Sequence, residues 1–162
     1  MLNQDIIQCS ELLIDKQLTI AFAESASAGR MAAEFSMVPN AGKFLKGGLV
    51  CYDASLKEEI LKVPKSLIDE FTPESVEVTK ALAFQLKKLI PADLHVAITG
   101  LPAPGGSENS EKPVGTMFIA AVYRGEELFM EKKIFNGEPE EIILHSIYFT
   151  AQMLVNKLTG NL

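Results

Sequence analysis

"LTIAFAESASAGRMAAEFSMV", residues 18–38, decides the fold class. A short apolar run ends at a carboxylate, Glu24, and a hydroxyl, Ser25. Its length and composition suit a buried strand. Small residues follow, and an Ala-rich helix reads over 28–38, stopped by Pro39. A strand that hands the chain through a small-residue turn to a helix opens an α/β unit.

On the N-terminal side, Leu2, Ile6, Cys9, Leu12 and Leu13 recur at helical spacing, which predicts an amphipathic helix over 2–16. On the other side, residues 40–48 read as a loop and 48–53 as a second strand. Residues 54–63 read as a helix, with Ser55 as a possible cap and Pro64 as its interruption. A short helix over 65–71 follows. The next helix reads over 72–90, with Thr72 as cap, Pro73 in the first position and an apolar stripe of Val78, Leu82, Leu86 and Leu89.

Residues 93–100 form a further strand. A thirteen-residue Pro/Gly/Ser-rich loop, 101–113, comes next, and loops of that length are often functional. Strands over 114–124 and 126–135 meet at Arg124-Gly125, as in an antiparallel hairpin. Residues 139–158 close the chain as a long helix behind Pro139. This order predicts a single domain over 1–162. Its fold is a three-layer α/β/α sandwich with a mixed, mostly parallel sheet of about five strands.

A chain of 162 residues buries roughly two-thirds of its unfolded surface, so its core needs no covalent staple. Fifteen Lys and Arg against twenty-one Asp and Glu leave a net charge of −6, which argues against a nucleic-acid partner. Cys9 and Cys51 lack metal-ligand or CxxC spacing and read as small buried hydrophobes. Acidic residues at 5, 11 and 15 do not fit a signal peptide, and no apolar run approaches the ~20 residues of a membrane span. A cytoplasmic protein without a membrane partner is the expectation. Apolar helix faces and strand edges leave room for a homo-oligomer.

Three strand ends carry polar or glycine-rich residues: 24–29, 52–57 and 99–113. In open α/β sheets, sites form where strand C-terminal ends meet helix N-termini, whose free N–H groups hold anions. Ser25 is thus either a nucleophile or donor, or, like Ser27, a helix cap. Lys57 becomes a base only if burial lowers its pKa, and otherwise is a solvated helix residue. Tyr52 can share the proton, orient a substrate, or simply be a half-buried aromatic. Glu24 can pair with a lysine. No GxSxG elbow or His/Asp pairing suggests a serine-hydrolase triad, so a Ser nucleophile would need lysine as its base.

Taken together, "AESASAGR", "YDASLK", "ESVEV" and "TGLPAPGGSENSEKPVGT" resemble the C-terminal domain family of CinA, the competence- and damage-inducible protein, over about residues 5–158. The family includes stand-alone nicotinamide mononucleotide deamidases. The resemblance implies an α/β/α domain without the separate N-terminal domain of full-length members. It implies hydrolysis of a pyridine mononucleotide carboxamide, or a related amide, to the acid and ammonia, with neither metal nor organic cofactor.

Carried over by position, Ser25 matches the nucleophile and Tyr52 and Lys57 its partners. Glu24, Ala26, Ser27, Ala28 and Gly29 surround the substrate, with N–H groups around 26–29 as the oxyanion site. Thr99, Gly100, Gly105, Gly106, Lys112 and Pro113 wall the site. There are departures. Ala28 and Ala103 stand where the family has glycine, and Gly137-Glu138-Pro139 replaces a Gly-Asp-Arg whose arginine suits a phosphate. Arg30 or Lys43 are the candidates to compensate. The alternative is a catalytically weak nucleotide-binding or protein-interaction module of the same family, with Pro139 in place of that arginine.

Overall fold

The computed structural model describes residues 2–160; residues 1, 161 and 162 of the expected domain lie outside the described residues. Five strands form one sheet in the order β2-β1-β3-β4-β5. β1 is Ile20–Glu24, β2 Leu45–Val50, β3 Leu94–Gly100, β4 Thr116–Tyr123 and β5 Glu126–Ile134. β1 pairs in parallel with β2 and with β3, while β4 runs antiparallel to both β3 and β5. Four strands therefore share one direction and β4 alone is reversed. The hairpin at Arg124-Gly125 forms as expected, both residues taking positive φ (49° and 89°), which matches the twist of the flanking strands.

The two faces of β1 show why helices cover both sides. Ile20 and Phe22 enter one core with α1 (Gln4–Asp15), α2 (Arg30–Ser36) and α6 (Pro139–Thr159). Ala21 and Ala23 enter the other, under α5 (Val76–Leu89), together with Ala97 and Ala120. Alternating side chains bury both faces of a strand whose every residue is buried. Alanines on the α5 side let that helix sit close to the sheet. Two short helices, α3 (Ala54–Glu59) and α4 (Lys65–Phe71), complete the connection to α5.

Several boundaries differ from the sequence reading. The 40–48 loop contains a 3₁₀ turn, Ala41–Lys43, and the first half of β2. Gly47 and Gly48 hid that strand. A register shift opposite Ile20/Ala21 inserts Lys46 as a bulge, and Gly48 packs where a Cβ would stand 3.1 Å from the Phe22 carbonyl oxygen. Thr72 does not cap α5. It ends α4 with φ 70° and ψ 158°, the extended ψ favoured before proline, and Ser75 caps α5 by accepting the Val78 N–H at 3.2 Å. Asp53, not Ser55, caps α3, accepting the Ser55 N–H at 2.8 Å. Both cysteines are buried and free, as expected, and burial pushes the Cys9 thiol up to about 12. Among the described residues, no helix is long and apolar enough to cross a membrane.

Candidate active site

The α2 helix starts later than its alanines suggest, because Ala28 and Gly29 both take positive φ, 49° and 94°. That left-handed pair separates β1 from α2 and leaves no side-chain cap at the Ncap position, Gly29. Glu24 takes over the capping. Its carboxylate accepts the N–H groups of Gly29 (3.0 Å), Met31 (2.9 Å) and Ala32 (2.8 Å), and the Ser27 hydroxyl at 2.6 Å. With 1% of its surface exposed, Glu24 faces neither solvent nor Lys57; it holds the helix N-terminus. Ser27 is equally committed to this network.

With Glu24 and Ser27 drawn inward, Ser25 is left at the turn. Its N–H donates to the Ile98 carbonyl at 3.0 Å, tying it to β3. The Lys57 amine arrives from α3 and lies 2.9 Å from the Ser25 Oγ. Asp53 caps α3 and so aims its second turn, from which Lys57 reaches inward. Lys57 is only 1% exposed; its other contacts are the carbonyls of Cys51 (2.9 Å) and Tyr52 (3.5 Å). Burial pushes its pKa below the ordinary lysine value, opposed by the negative charges of Glu74 and Asp53. A neutral amine can donate to the two carbonyls and turn its lone pair to the Ser25 hydroxyl.

In front of Ser25 lies a cavity of about 250 Å³. Ser25, Ala26 and Tyr52 form one side, Gly100 to Gly106 the other, and Glu74 an edge. Tyr52 is 68% exposed; its backbone carbonyl, not its phenol, contacts Lys57. Tyr52 borders the cavity, and among the described residues its phenol makes no hydrogen bond to Lys57 or Ser25. Gly100 is required by close approach: a Cβ there would lie 2.4 Å from the Met117 sulfur and 2.7 Å from the Thr116 carbonyl oxygen.

The expected oxyanion donors narrow to two. Ala28 N–H donates to the Ser25 carbonyl and Gly29 N–H to Glu24. Among the described residues, the N–H groups of Ala26 and Ser27 have no acceptor. The Gly105 and Gly106 N–H groups, also at the cavity, are both taken at 2.8 Å by the Glu108 carboxylate. Those amides hold that carboxylate's pKa down.

Two expected wall residues stand behind the cavity. Thr99 is fully buried and its hydroxyl meets that of Thr79 at 2.8 Å. Lys112 donates to the Thr72 hydroxyl (2.7 Å), the Glu74 carbonyl (2.9 Å) and the Ser107 hydroxyl (2.7 Å). Ser107 in turn donates to the Glu74 carboxylate at 2.5 Å. This half-buried clamp fastens the 101–113 loop to the α4–α5 connection. Glu74, which the sequence reading quoted within "ESVEV" but did not name as a site residue, acquires its place from that clamp.

Residues 4–158 match the CinA C-terminal domain. The chain belongs to the CinA C-terminal domain family. A putative competence-damage inducible protein of Desulforudis audaxviator is 40% identical over 110 residues, covering 68% of this chain and 26% of that protein. A CinA-like protein of Petrotoga mobilis is 34% identical over 140 residues, 86% of this chain and 34% of that one. The chain thus spans about a third or less of these curated relatives. A CinA superfamily protein of Klebsiella pneumoniae shares the fold with a TM-score of 0.91 at 24% identity, over 97% of both chains. One from Escherichia coli gives 0.89 at 26% identity, over 98% of this chain and 90% of the other.

Departures from the CinA motif now have positions. Ala28 occupies a left-handed conformation suited to glycine. Pro139 opens α6, whose capping box is built from Glu138 and Glu141. Arg30 does not reach the cavity: it pairs with Glu34 at 2.7 Å and Glu140 at 3.3 Å. Lys43 is exposed on its 3₁₀ turn and also stands outside the cavity lining.

Proposed function

We propose that this chain is a serine amidohydrolase resembling nicotinamide mononucleotide deamidases, acting on a pyridine carboxamide. The observation that carries the reading is the buried 2.9 Å contact between Lys57 Nζ and Ser25 Oγ at the floor of an open cavity. Lys57 accepts the Ser25 proton as Oγ bonds to the amide carbon. The Ala26 and Ser27 N–H groups hold the resulting oxyanion. Lys57 returns the proton to the departing nitrogen, the C–N bond breaks and ammonia leaves. Water, deprotonated by the same amine, then attacks the Ser25 ester, releasing the carboxylic acid and restoring the hydroxyl.

The second reading, a catalytically weak binding module, is favoured by Pro139 and by the lack of a Lys or Arg in the cavity lining. Ammonia release from nicotinamide mononucleotide and from phosphate-free pyridine carboxamides separates the two. Release that disappears in Ser25→Ala supports the hydrolase. Ligand binding without release from any of them supports the module.

A further inference from the structure

We propose that the cavity selects a cationic, phosphate-free pyridinium carboxamide, with the Tyr52 ring and the Glu74 carboxylate as its specificity determinants. The identity of the reacting group rests on the amidohydrolase reading; the charge preference rests on the cavity itself.

Among the described residues, Glu74 is the one charged residue in the cavity lining. Its Oε2 accepts from Ser107, and among the described residues its Oε1 has no hydrogen-bond partner. Tyr52 lines the same cavity with most of its surface exposed. An aromatic residue and an acidic residue bordering one small space favour a delocalised cation, both by the ring quadrupole and by direct charge. At about 250 Å³ the cavity falls just below the usual range for drug-sized ligands, roughly 300–1,000 Å³, and suits a single heteroaromatic ring with its amide.

A phosphate meets the opposite conditions. The Lys57 amine has its two donor directions taken by the Cys51 and Tyr52 carbonyls and its third toward Ser25, and Lys112 has two hydroxyls and a carbonyl as acceptors. Neither amine keeps a proton for an outside anion. The Gly105 and Gly106 amides, the natural anion donors of the loop, already hold Glu108. A phosphate would have to displace that carboxylate and lie beside Glu74.

Calorimetry with Ser25→Ala protein measures recognition without turnover. The probes are N1-methylnicotinamide, nicotinamide riboside, nicotinamide mononucleotide and neutral nicotinamide. The two phosphate-free cations are expected to bind about tenfold tighter than the mononucleotide and than neutral nicotinamide. Adding Glu74→Gln, which keeps an acceptor for Ser107, is expected to remove most of the cation preference. Mononucleotide binding as tight as the riboside, or an unchanged cation-to-neutral ratio in the Glu74→Gln protein, overturns the proposal. Ammonia release by the unaltered protein is read separately. Its absence with all four compounds, alongside the expected binding order, overturns the hydrolase reading and leaves the charge preference standing.

Discussion

Lys57 Nζ and Ser25 Oγ lie 2.9 Å apart although 32 positions separate the residues in the chain. The contact joins the turn after β1 to the second turn of α3. It is buried, so the amine is poorly hydrated, and among the described residues Lys57 is the hydrogen-bond partner of the Ser25 hydroxyl.

Replacing Lys57 by Met keeps most of the volume and removes the proposed base. Amide turnover is expected to fall by about 10²- to 10⁴-fold, the usual contribution of a positioned general base. Circular dichroism should report an unchanged fold. Undiminished turnover in this variant would rule lysine out.

The pH profile follows from the direction of the Lys57 shift. In the proposed mechanism the active form is the neutral amine, so kcat/KM is expected to rise with pH while Lys57 loses its proton. Because burial lowers its pKa, the rise levels off below the ordinary lysine value of about 10.4. A profile still climbing at that pH contradicts the assignment.

Glu24→Ala tests the helix-anchoring role. It leaves the Gly29, Met31 and Ala32 amides and the Ser27 hydroxyl without their shared acceptor in a buried setting. The expected loss is about 3–5 kcal/mol in denaturant unfolding. A loss under about 1 kcal/mol would mean that water replaces the carboxylate.

Ala28→Gly is expected to stabilise the protein by about 0.5–1 kcal/mol. The alanine stands exposed at φ 49°, so removing its methyl relieves the left-handed conformation without opening a core cavity. The gain is net of the greater backbone freedom that glycine gives the unfolded chain. The same unfolding measurement checks it, and a destabilised Ala28→Gly protein contradicts the account.

The fold was legible where periodicity was strong. The amphipathic stripe of α5, the apolar run of β1 and the Arg124-Gly125 turn all appear at their expected places. Local conformation hid the rest. The glycines of β2 carry no side-chain pattern, and the start of α5 depended on whether Thr72 or Ser75 would cap it. Among the expected site residues, Ser25, Ala26, Tyr52, Gly100, Gly105 and Gly106 do border the cavity, and Lys57 lies directly behind Ser25. Glu24, Ser27, Thr99 and Lys112 were legible as polar residues at strand ends but not as supports, because a motif records which residues are present and not which way they turn.

The linear chain by itself determined that β1 would be buried on both faces and would deliver a carboxylate and a hydroxyl to a small-residue turn; apolar length and residue size suffice for that. Only the tertiary structure decided how those groups divide the work. A buried carboxylate seeks the greatest number of N–H donors, and α2 offers Glu24 three of them. A buried amine seeks oxygen acceptors, and the Lys57 amine finds Ser25 Oγ among them. Each choice depends on which partners folding brings within about 3 Å: for Glu24 the left-handed turn at Ala28-Gly29 folds back amides five to eight positions on, and for Lys57 packing brings in a hydroxyl 32 positions away.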